Sequence, residues 1–330
     1  MRRSAATGHL LEPGDHRTPQ VWRAEDLGPV QERGQPAAEA LGVGDGDPHD
    51  EALGVVALDL GGAQLGPDRR GDGRIEPDPG LDRVRIDAGA DNQPYKVWSA
   101  PYDTIGTTKN GQYELGSGTS PTVLGNGDYV AITDNADPMK VVVYQTGEDV
   151  APTHRVICQV PVFLGQPGQA LSNSLIGSGL SLIASNNYNY LWDWQHGKTV
   201  YPSAPGFARI DIDRDRQRCN TIWTSYDLAT TTSPRLSTKT GLIYTVARES
   251  DPNAVNPDGS PGVYVYYWAA LDFRTGETVW KKLAGTGDQF DSFYPALAIG
   301  PDRGLYVGAY GGFTTLKDQP RVWCPIVAKE

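Results

Sequence analysis

A sequence pattern that occurs four times after residue 118 restricts the folds that this chain can adopt. The copies are TSPTVLGNGDYVAITDNAD (119–137), LSNSLIGSGLSLIASNNYN (171–189), TSPRLSTKTGLIYTVARES (232–250) and FYPALAIGPDRGLYVGAYGG (293–312). Each copy reads as a short strand, a turn that contains glycine, and a second strand of apolar and β-branched residues. The copies are spaced by 52, 61 and 61 residues when the equivalent positions are Pro121, Asn173, Pro234 and Pro295.

The sequence after each copy has room for two further strands. After the first copy these are KVVVYQTG (140–147) and HRVICQVPVFL (154–164). Four antiparallel strands that repeat every roughly 40 to 60 residues are typical of a β-propeller. We therefore predict an all-β fold, a β-propeller of four-stranded antiparallel blades, with repeats near 119–164, 171–225, 232–285 and 293–318.

The predicted propeller is incomplete, because these repeats supply about 3.5 blades and closure takes about four to eight. An incomplete ring has open blade edges and an uncovered apolar blade face, which favour pairing with another chain. Two explanations stay open. Either a second copy completes the ring by self-association through the open blade edges, or the chain is a fragment, the C-terminal part of a longer propeller protein.

Residues 1–94 differ in composition from the repeats that follow. They contain one of the 30 aromatic residues, Trp22, and no cysteine or lysine, but ten arginines and eighteen acidic residues. Their only apolar stretch, LGVVALDL (53–60), is too short to offset the conformational entropy of ordering the segment. We predict a largely disordered or non-native segment, 1–94, followed by the partial propeller, 95–330. A disordered acidic tail, a small folded domain and sequence read out of frame all remain open for 1–94.

The charge balance excludes one class of partner. The chain has 40 acidic and 29 basic side chains, a net charge of −11, which excludes nucleic acid because nucleic acids attract basic surfaces. No apolar run reaches the roughly 18 residues of a membrane span. The N-terminal sequence MRRSAATGHLLEPGDH lacks the apolar core of a signal peptide, so the chain as written is expected to stay in the cytoplasm.

Polar residues follow the second strand of each repeat, near one mouth of the predicted central channel. Together with their neighbours they form the predicted ligand-binding set, Asp134, Asn135, Asn186, Asn187, Arg248 and Tyr310. Asp134 and Asn186 offer the oxygen ligands that a Ca²⁺-like cation prefers, and they are the predicted metal ligands. The alternative is that Asp and Asn stand there as turn residues that bond their own backbone.

The segment AALDFRTGETVWKKLAGTG (269–287) carries a family resemblance. It resembles the blade signature of quinoprotein-like (PQQ-like) propellers at Ala270, Leu271, Asp272, Thr275, Gly276 and Trp280. The resemblance, which covers about 118–318, implies that Thr275 and Gly276 form the hairpin between the two outer strands and that Trp280 packs between neighbouring blades. NSLIGSGLSLIASNNYNY (173–190) is similar to an uncharacterised, exported subgroup, which implies an extracytoplasmic or secreted location for the native family.

The chain has three cysteines. Cys158 and Cys219 fall on predicted outer strands of successive blades and can form a disulfide if the chain is exported. Cys324 is then left over, with its partner expected in missing upstream blades. No two cysteines are adjacent, so the vicinal disulfide of some quinoprotein alcohol dehydrogenases is absent.

Two functions from different classes fit these features. The first is an uncharacterised propeller module that serves as a ligand- or protein-binding platform of an extracytoplasmic protein, with the loops 186–206 and 248–262 forming one surface. The alternative is an enzyme, a quinoprotein-type dehydrogenase or a cation-dependent hydrolase, with its site at the channel mouth. In the enzyme, Asp134 and Asn186 hold the cation and Arg248 stabilises developing negative charge. Calcium or PQQ is expected as a cofactor only under this alternative.

Overall fold

The computed structural model describes residues 56–59, 80–86, 94–112, 116–169, 174–193, 198–201, 203–255 and 261–318, all of which belong to one unit, Leu53–Glu330. Regular structure within these residues is β-strand, apart from one helical turn, α1 (Pro152–Arg155), and a 3-10 helix (Asp288–Phe290). None of the described helices is long and apolar enough to cross a membrane. The predicted all-β class is confirmed.

The strands form successive antiparallel sheets. An N-terminal sheet contains β1 (Val56–Asp59), β2 (Gly80–Ile86) and β3 (Pro94–Pro101). Blade 1 contains β4 (Thr122–Leu124), β5 (Tyr129–Thr133), β6 (Lys140–Gln145) and β7 (Val156–Pro161). Blade 2 contains β8 (Leu175–Ser178), β9 (Ser181–Ser185), β12 (Phe207–Asp213) and β13 (Arg218–Ser225), with a hairpin of β10 (Leu191–Asp193) and β11 (Lys198–Tyr201) inserted between its middle strands.

Two further blades complete the described part of the chain. Blade 3 contains β14 (Arg235–Ser237), β15 (Leu242–Val255), β16 (Pro261–Asp272) and β17 (Thr278–Thr286). Blade 4 has three described strands, β18 (Ala298–Ile299), β19 (Leu305–Ala309) and β20 (Gly312–Leu316). The chain is thus a β-propeller of four-stranded antiparallel blades, as the repeats predicted.

Neighbouring blades pack face to face, because the inner strands bury both of their faces. All five residues of β5 are buried. Ala131 lies in the core between blades 1 and 2 with Leu182 and Ile210, whereas Val130 and Ile132 belong to a core on the opposite face. Equivalent cores join blade 2 to blade 3 and blade 3 to blade 4. Alternation along a strand therefore places apolar side chains on both sides of each inner sheet.

The N-terminal sheet corrects one expectation about the open ends of the propeller. Trp98, Ala100 and Tyr102 on and just after β3 pack against Val130 and Ile132 of blade 1, so the apolar face at this end is covered. The sheet also crosses the predicted boundary at residue 94, since β1 and β2 lie within 1–94 and β2 pairs with β3 along its length. The predicted disorder of 1–94 otherwise concerns residues outside the described part of the chain.

The pairing between the third and fourth strands has the same irregularity in several sheets. The register shifts by one residue beside Trp98 in β3, Cys158 in β7, Trp223 in β13 and Trp280 in β17. These four residues therefore occupy equivalent bulge positions on strands that lie next to the following blade. Cys158 forms a disulfide with Cys219 of β13, as the sequence predicted for an exported chain.

The Thr275-Gly276 turn connects β16 and β17, as the family resemblance implied. Asp272 Oδ1 accepts hydrogen bonds from the backbone N–H groups of Arg274 (2.7 Å) and Thr275 (3.0 Å). Gly276 has φ +75°, and a Cβ atom at this position would lie 2.5 Å from the Trp223 ring. Glycine is therefore required both by the backbone conformation and by the close approach of the preceding blade.

Candidate functional site

The second strands of the blades end on one side of the propeller, which we call the channel-mouth face. It is formed by the segments 102–112, 134–139, 163–169, 186–190, 226–232 and 286–296, and by the residues after β19. Five of the six predicted site residues are buried beneath it: Asp134, Asn135, Asn186, Asn187 and Arg248. Tyr310 is 57% exposed. Most of the predicted set therefore lies inside the rim of the channel mouth.

Asp134 closes the connection between β5 and β6. Its Oδ1 atom accepts hydrogen bonds from the backbone N–H groups of Lys140 (2.7 Å) and Ala136 (3.2 Å). Its Oδ2 atom is buried without a hydrogen-bond partner, and the Lys140 ammonium lies 3.9 Å away. Burial raises the pKa of Asp134 to about 6, although the two N–H bonds and the nearby lysines oppose the shift. One carboxylate oxygen of Asp134 thus accepts the two hydrogen bonds of the turn, and the other oxygen has no hydrogen-bond partner.

Asn186 and Asn187 hold the connections of blade 2 in place. Asn186 Oδ1 accepts hydrogen bonds from the backbone N–H groups of Gln169 (3.2 Å) and Tyr188 (3.0 Å), and its Nδ2 atom donates to Pro167 O (3.1 Å). Asn187 Oδ1 accepts a hydrogen bond from the Ser174 hydroxyl. These bonds are of the kind expected for turn residues. The predicted role of Asn186 as a metal ligand remains a prediction.

A lysine from the 102–112 segment lies beside Asp134. Lys109 Nζ donates to Ala136 O (2.5 Å) and Gly168 O (2.9 Å). Burial lowers the pKa of Lys109, while the charges of Asp134 and Asp137 act in the opposite direction. Lys109 and Asp137 also line a cavity of about 250 Å³ at this face. A buried acid and a half-buried base with opposed pKa shifts therefore lie close together at the channel mouth.

Arg248 belongs to a second buried cluster, together with Asp291. Arg248 Nη1 lies 3.3 Å from Asp291 Oδ2, and the two side chains are 1% and 0% exposed. The Tyr190 hydroxyl donates to Asp291 Oδ1 (2.8 Å) and the Tyr266 hydroxyl donates to Asp291 Oδ2 (3.0 Å). The guanidinium also stacks 4.4 Å from the Tyr264 ring centre. Burial, and then the Asp291 charge, raise the pKa of Tyr190 and Tyr266 far above the ordinary value, so both stay protonated donors.

This cluster joins connections from three blades. Tyr190 precedes the β10–β11 hairpin of blade 2, Arg248 lies in β15 of blade 3, and Asp291 follows the 3-10 helix that leads into blade 4. Beyond the blade, β15 and β16 continue as a hairpin, with Asp251 still paired to Val263. The structure thus unites the two loop regions, 186–206 and 248–262, that the sequence assigned to one surface, within the residues described.

The sequence identified Arg248 but missed its partners. Asp291, Tyr190, Tyr266 and Tyr294 are separated by up to about a hundred residues from one another, and no local motif connects them. Lys109 was missed as well, because it lies in the segment before the first repeat. Among the described residues no group of three or more His, Cys, Asp or Glu side chains is arranged to hold a metal ion.

No protein-family model matches the chain. An uncharacterised protein of Archaeoglobus fulgidus is 25% identical over 244 residues, which cover 66% of this chain and 45% of that protein. The chain therefore spans less than half the length of this relative.

Three solved structures show low similarity. A Lactobacillus plantarum protein matches with a TM-score of 0.39 and 12% identity, over 70% of this chain and 57% of its own. BamB from Moraxella catarrhalis matches with a TM-score of 0.22 and 10% identity, over 72% of this chain and 92% of its own. The β-propeller domain of Cps50 (Swd1) from Myceliophthora thermophila matches with a TM-score of 0.26 and 10% identity, over 73% of this chain and 83% of its own. TM-scores this low carry no functional inference.

Proposed function

We propose that this chain is a binding module whose channel-mouth face is a preorganised platform for a protein partner. The observation that carries the proposal is the buried Arg248–Asp291 pair, which fixes connections from three blades. Burying two charges costs desolvation energy, which good geometry and added hydrogen bonds offset. A surface that is already rigid loses less entropy on binding than flexible loops would.

The exposed side chains of this face favour a protein over a small molecule. Leu164 is 64% exposed, Tyr310 57%, Ile105 43% and Tyr226 42%. The Tyr226 hydroxyl donates to Leu164 O (3.0 Å), so the Tyr226 side chain is held against the Leu164 backbone. The cavity lined by Lys109 and Asp137, about 250 Å³, is smaller than the roughly 300–1,000 Å³ of drug-sized ligand sites. Exposed apolar groups with a polar rim are what protein interfaces require.

The Cys158–Cys219 disulfide supports an extracytoplasmic setting for this binding module. Disulfides persist in oxidising compartments and are rare in the cytosol, where thiols are kept reduced. Mass spectrometry of the protein from its native cells, with free thiols blocked at lysis, tests this part of the proposal. We expect Cys158 and Cys219 to be linked, and finding both alkylated as free thiols would overturn the assigned compartment.

Site-specific photo-crosslinking in native cells tests the platform itself. A benzoylphenylalanine placed at Tyr226 or Tyr310 should give a protein adduct of defined mass. The matched control is Ile222, which is 46% exposed on the outer strand β13. We expect Arg248→Met to reduce the adducts at both positions, because the connections then lose their fixed arrangement. Equal crosslinking at Tyr226 and Ile222, or none at either, would refute the platform.

The enzyme alternative is favoured by one observation, the buried Asp134 Oδ2 atom, which has no hydrogen-bond partner. Calcium takes about six to eight oxygen ligands, whereas Asn186 Oδ1 already accepts two backbone bonds and Lys109 brings a positive charge. The described residues therefore do not fit this cation well, and we derive no step through calcium or PQQ. Calcium titration by calorimetry checks the alternative: it predicts binding that Asp134→Ala removes.

A further inference from the structure

Acidic side chains are unevenly distributed between the two faces of the propeller. From residue 102 onward, eleven acidic side chains but only two lysines or arginines lie on the connections that end at the channel-mouth face: 102–121, 134–139, 162–174, 186–206, 226–234, 249–262 and 287–297. Six acidic and six basic side chains lie on the connections at the opposite face: 125–128, 146–155, 179–180, 214–217, 238–241, 273–277 and 300–304. The negative charge of the repeats is therefore concentrated on the channel-mouth face.

This face stays negative when the cations that reach it from the strands are included. Three ion pairs join a strand cation to an acid of this face: Lys140–Asp103, Arg248–Asp291 and Lys281–Glu249. Eleven acids against five cations, three from the strands and two from the connections, leave a net charge of −6. One of the five is Lys109, whose ammonium donates to Ala136 O and Gly168 O. Carboxylates thus remain in excess after every nearby cation is counted.

The segments outside the described residues do not offset this charge. The parts of these connections that lie outside, 113–115, 170–173, 194–197, 202 and 256–260, contain two acidic side chains and no lysine or arginine. Residues 1–94 contain eighteen acidic and ten basic side chains, and 319–330 contain one acidic and two basic. No segment of the chain therefore carries enough positive charge to neutralise the face.

Exposed carboxylates and apolar side chains lie next to each other on this face. Asp137 and Ile105 line the same cavity, and Asp227 directly follows Tyr226. Asp137 and Asp227 are both exposed, and neither forms an ion pair within the described residues. The turn that contains Asp137 also holds Asp134, whose buried Oδ2 atom has no hydrogen-bond partner. The face therefore combines negative charge with apolar contact area and an acceptor that no donor of the described chain uses.

We propose that the protein partner of the channel-mouth face presents a segment rich in lysine or arginine, an inference that rests on the proposed function because it names the partner of the same face. The charged ends of such side chains complement Asp137 and Asp227, while their alkyl stems pack on the exposed apolar groups. The exposed rings of Tyr226 and Tyr310 attract the same cations through their faces. An acidic segment, in contrast, meets a surface of its own sign.

Two synthetic peptides test this charge preference by fluorescence anisotropy with the full chain. One is rich in lysine with leucine and tyrosine at intervals, and in the other glutamate replaces each lysine. We expect the lysine peptide to bind at least about tenfold more tightly. Raising the salt concentration from about 0.05 M to about 0.5 M should weaken it, because salt screens exposed charges. Equal affinities for the two peptides would overturn the proposal.

Two matched variants of the full chain locate the binding. Asp137→Asn/Asp227→Asn removes two exposed carboxylates of the channel-mouth face, and asparagine keeps the acceptor that Asp227 offers to Thr278. Asp149→Asn/Asp215→Asn removes two exposed carboxylates of the opposite face, so both variants have the same net charge. We expect the first variant to bind the lysine peptide about fivefold more weakly and the second to bind it within about twofold of the wild type. Equal weakening would show an effect of net charge alone and would exclude this face as the site.

Crosslinking in native cells separates this inference from the proposed function. The adduct formed at Tyr310 is digested, and the crosslinked segment of the partner is sequenced by mass spectrometry. We expect a segment with more lysine and arginine than aspartate and glutamate, in an adduct that Asp137→Asn/Asp227→Asn reduces. A neutral or acidic segment, or an adduct that this variant leaves unchanged, would overturn the basic partner and leave the platform standing. Absence of any adduct at Tyr226 and Tyr310 would refute the platform and this inference together.

Discussion

Removal of the Arg248 guanidinium tests whether the buried ion pair stabilises the channel-mouth face. In Arg248→Met the Asp291 carboxylate loses its opposite charge, 3.3 Å away, but keeps the hydroxyl donors of Tyr190 and Tyr266. Breaking a buried pair by removing one partner costs about 3–5 kcal/mol, because the remaining charge is left uncompensated. The two hydroxyl groups retain part of that stabilisation, so we expect a loss of about 3 kcal/mol in the free energy of unfolding.

Urea unfolding of the full chain at pH 7 measures this loss, as a lower midpoint at an unchanged m-value. Arg274→Met is the matched control, because the Arg274 side chain is 81% exposed and its loss should change stability by no more than about 0.5 kcal/mol. The double variant Arg248→Met/Asp291→Asn should lose about 2 kcal/mol less in the free energy of unfolding than the sum of the losses in the two single variants. A loss below about 1 kcal/mol in Arg248→Met, or strict additivity, would refute the reasoning.

Three further predictions concern other parts of the fold. The pKa of Asp134 is raised from 3.8 to about 6, so the folded state binds more protons than the unfolded state in this window and stability should fall as the pH rises from 4 to 6. The full effect is about 3 kcal/mol, and Asp134→Asn should abolish this slope in urea titrations at several pH values. Cys158→Ser opens a loop of 61 residues and should cost about 4 kcal/mol, with no further effect of a reductant on the variant. Gly276→Ala should destabilise by more than about 1 kcal/mol, because the new Cβ meets the Trp223 ring at 2.5 Å; an unchanged midpoint would contradict the close packing.

The sequence was sufficient for the blades because their information is local and periodic. Each copy of the pattern contains a turn and two strands, and β-branched residues alternate along strands that are buried on both faces. Spacing then gave the repeat length, and the outer strands followed from it. The disulfide followed from the strand positions, since Cys158 and Cys219 fall on the outer strands of successive blades.

The candidate site was harder to predict because its contacts are not local. Arg248 stands close to an equivalent position of the repeat, but Asp291 reaches it from a connection 43 residues later. Tyr190 and Tyr266 are indistinguishable in sequence from tyrosines that only fill a core. The repeat pattern also favoured a symmetric set of ligands around the channel, whereas the structure uses Asn186 for a turn and Arg248 for an ion pair.

The N-terminal sheet shows how composition and position within a repeat lead to different conclusions about the same residues. By composition, the segment before residue 95 is poor in the aromatic residues of a folded propeller, since it contains only Trp22. By position, Trp98 stands at the bulge that Trp223 and Trp280 occupy in later blades, and its strand pairs with β2. Trp98 also packs onto blade 1 and donates to Thr146, as Trp223 donates to Phe273. The strands β2 and β3 therefore pair as the two outer strands of a further blade would.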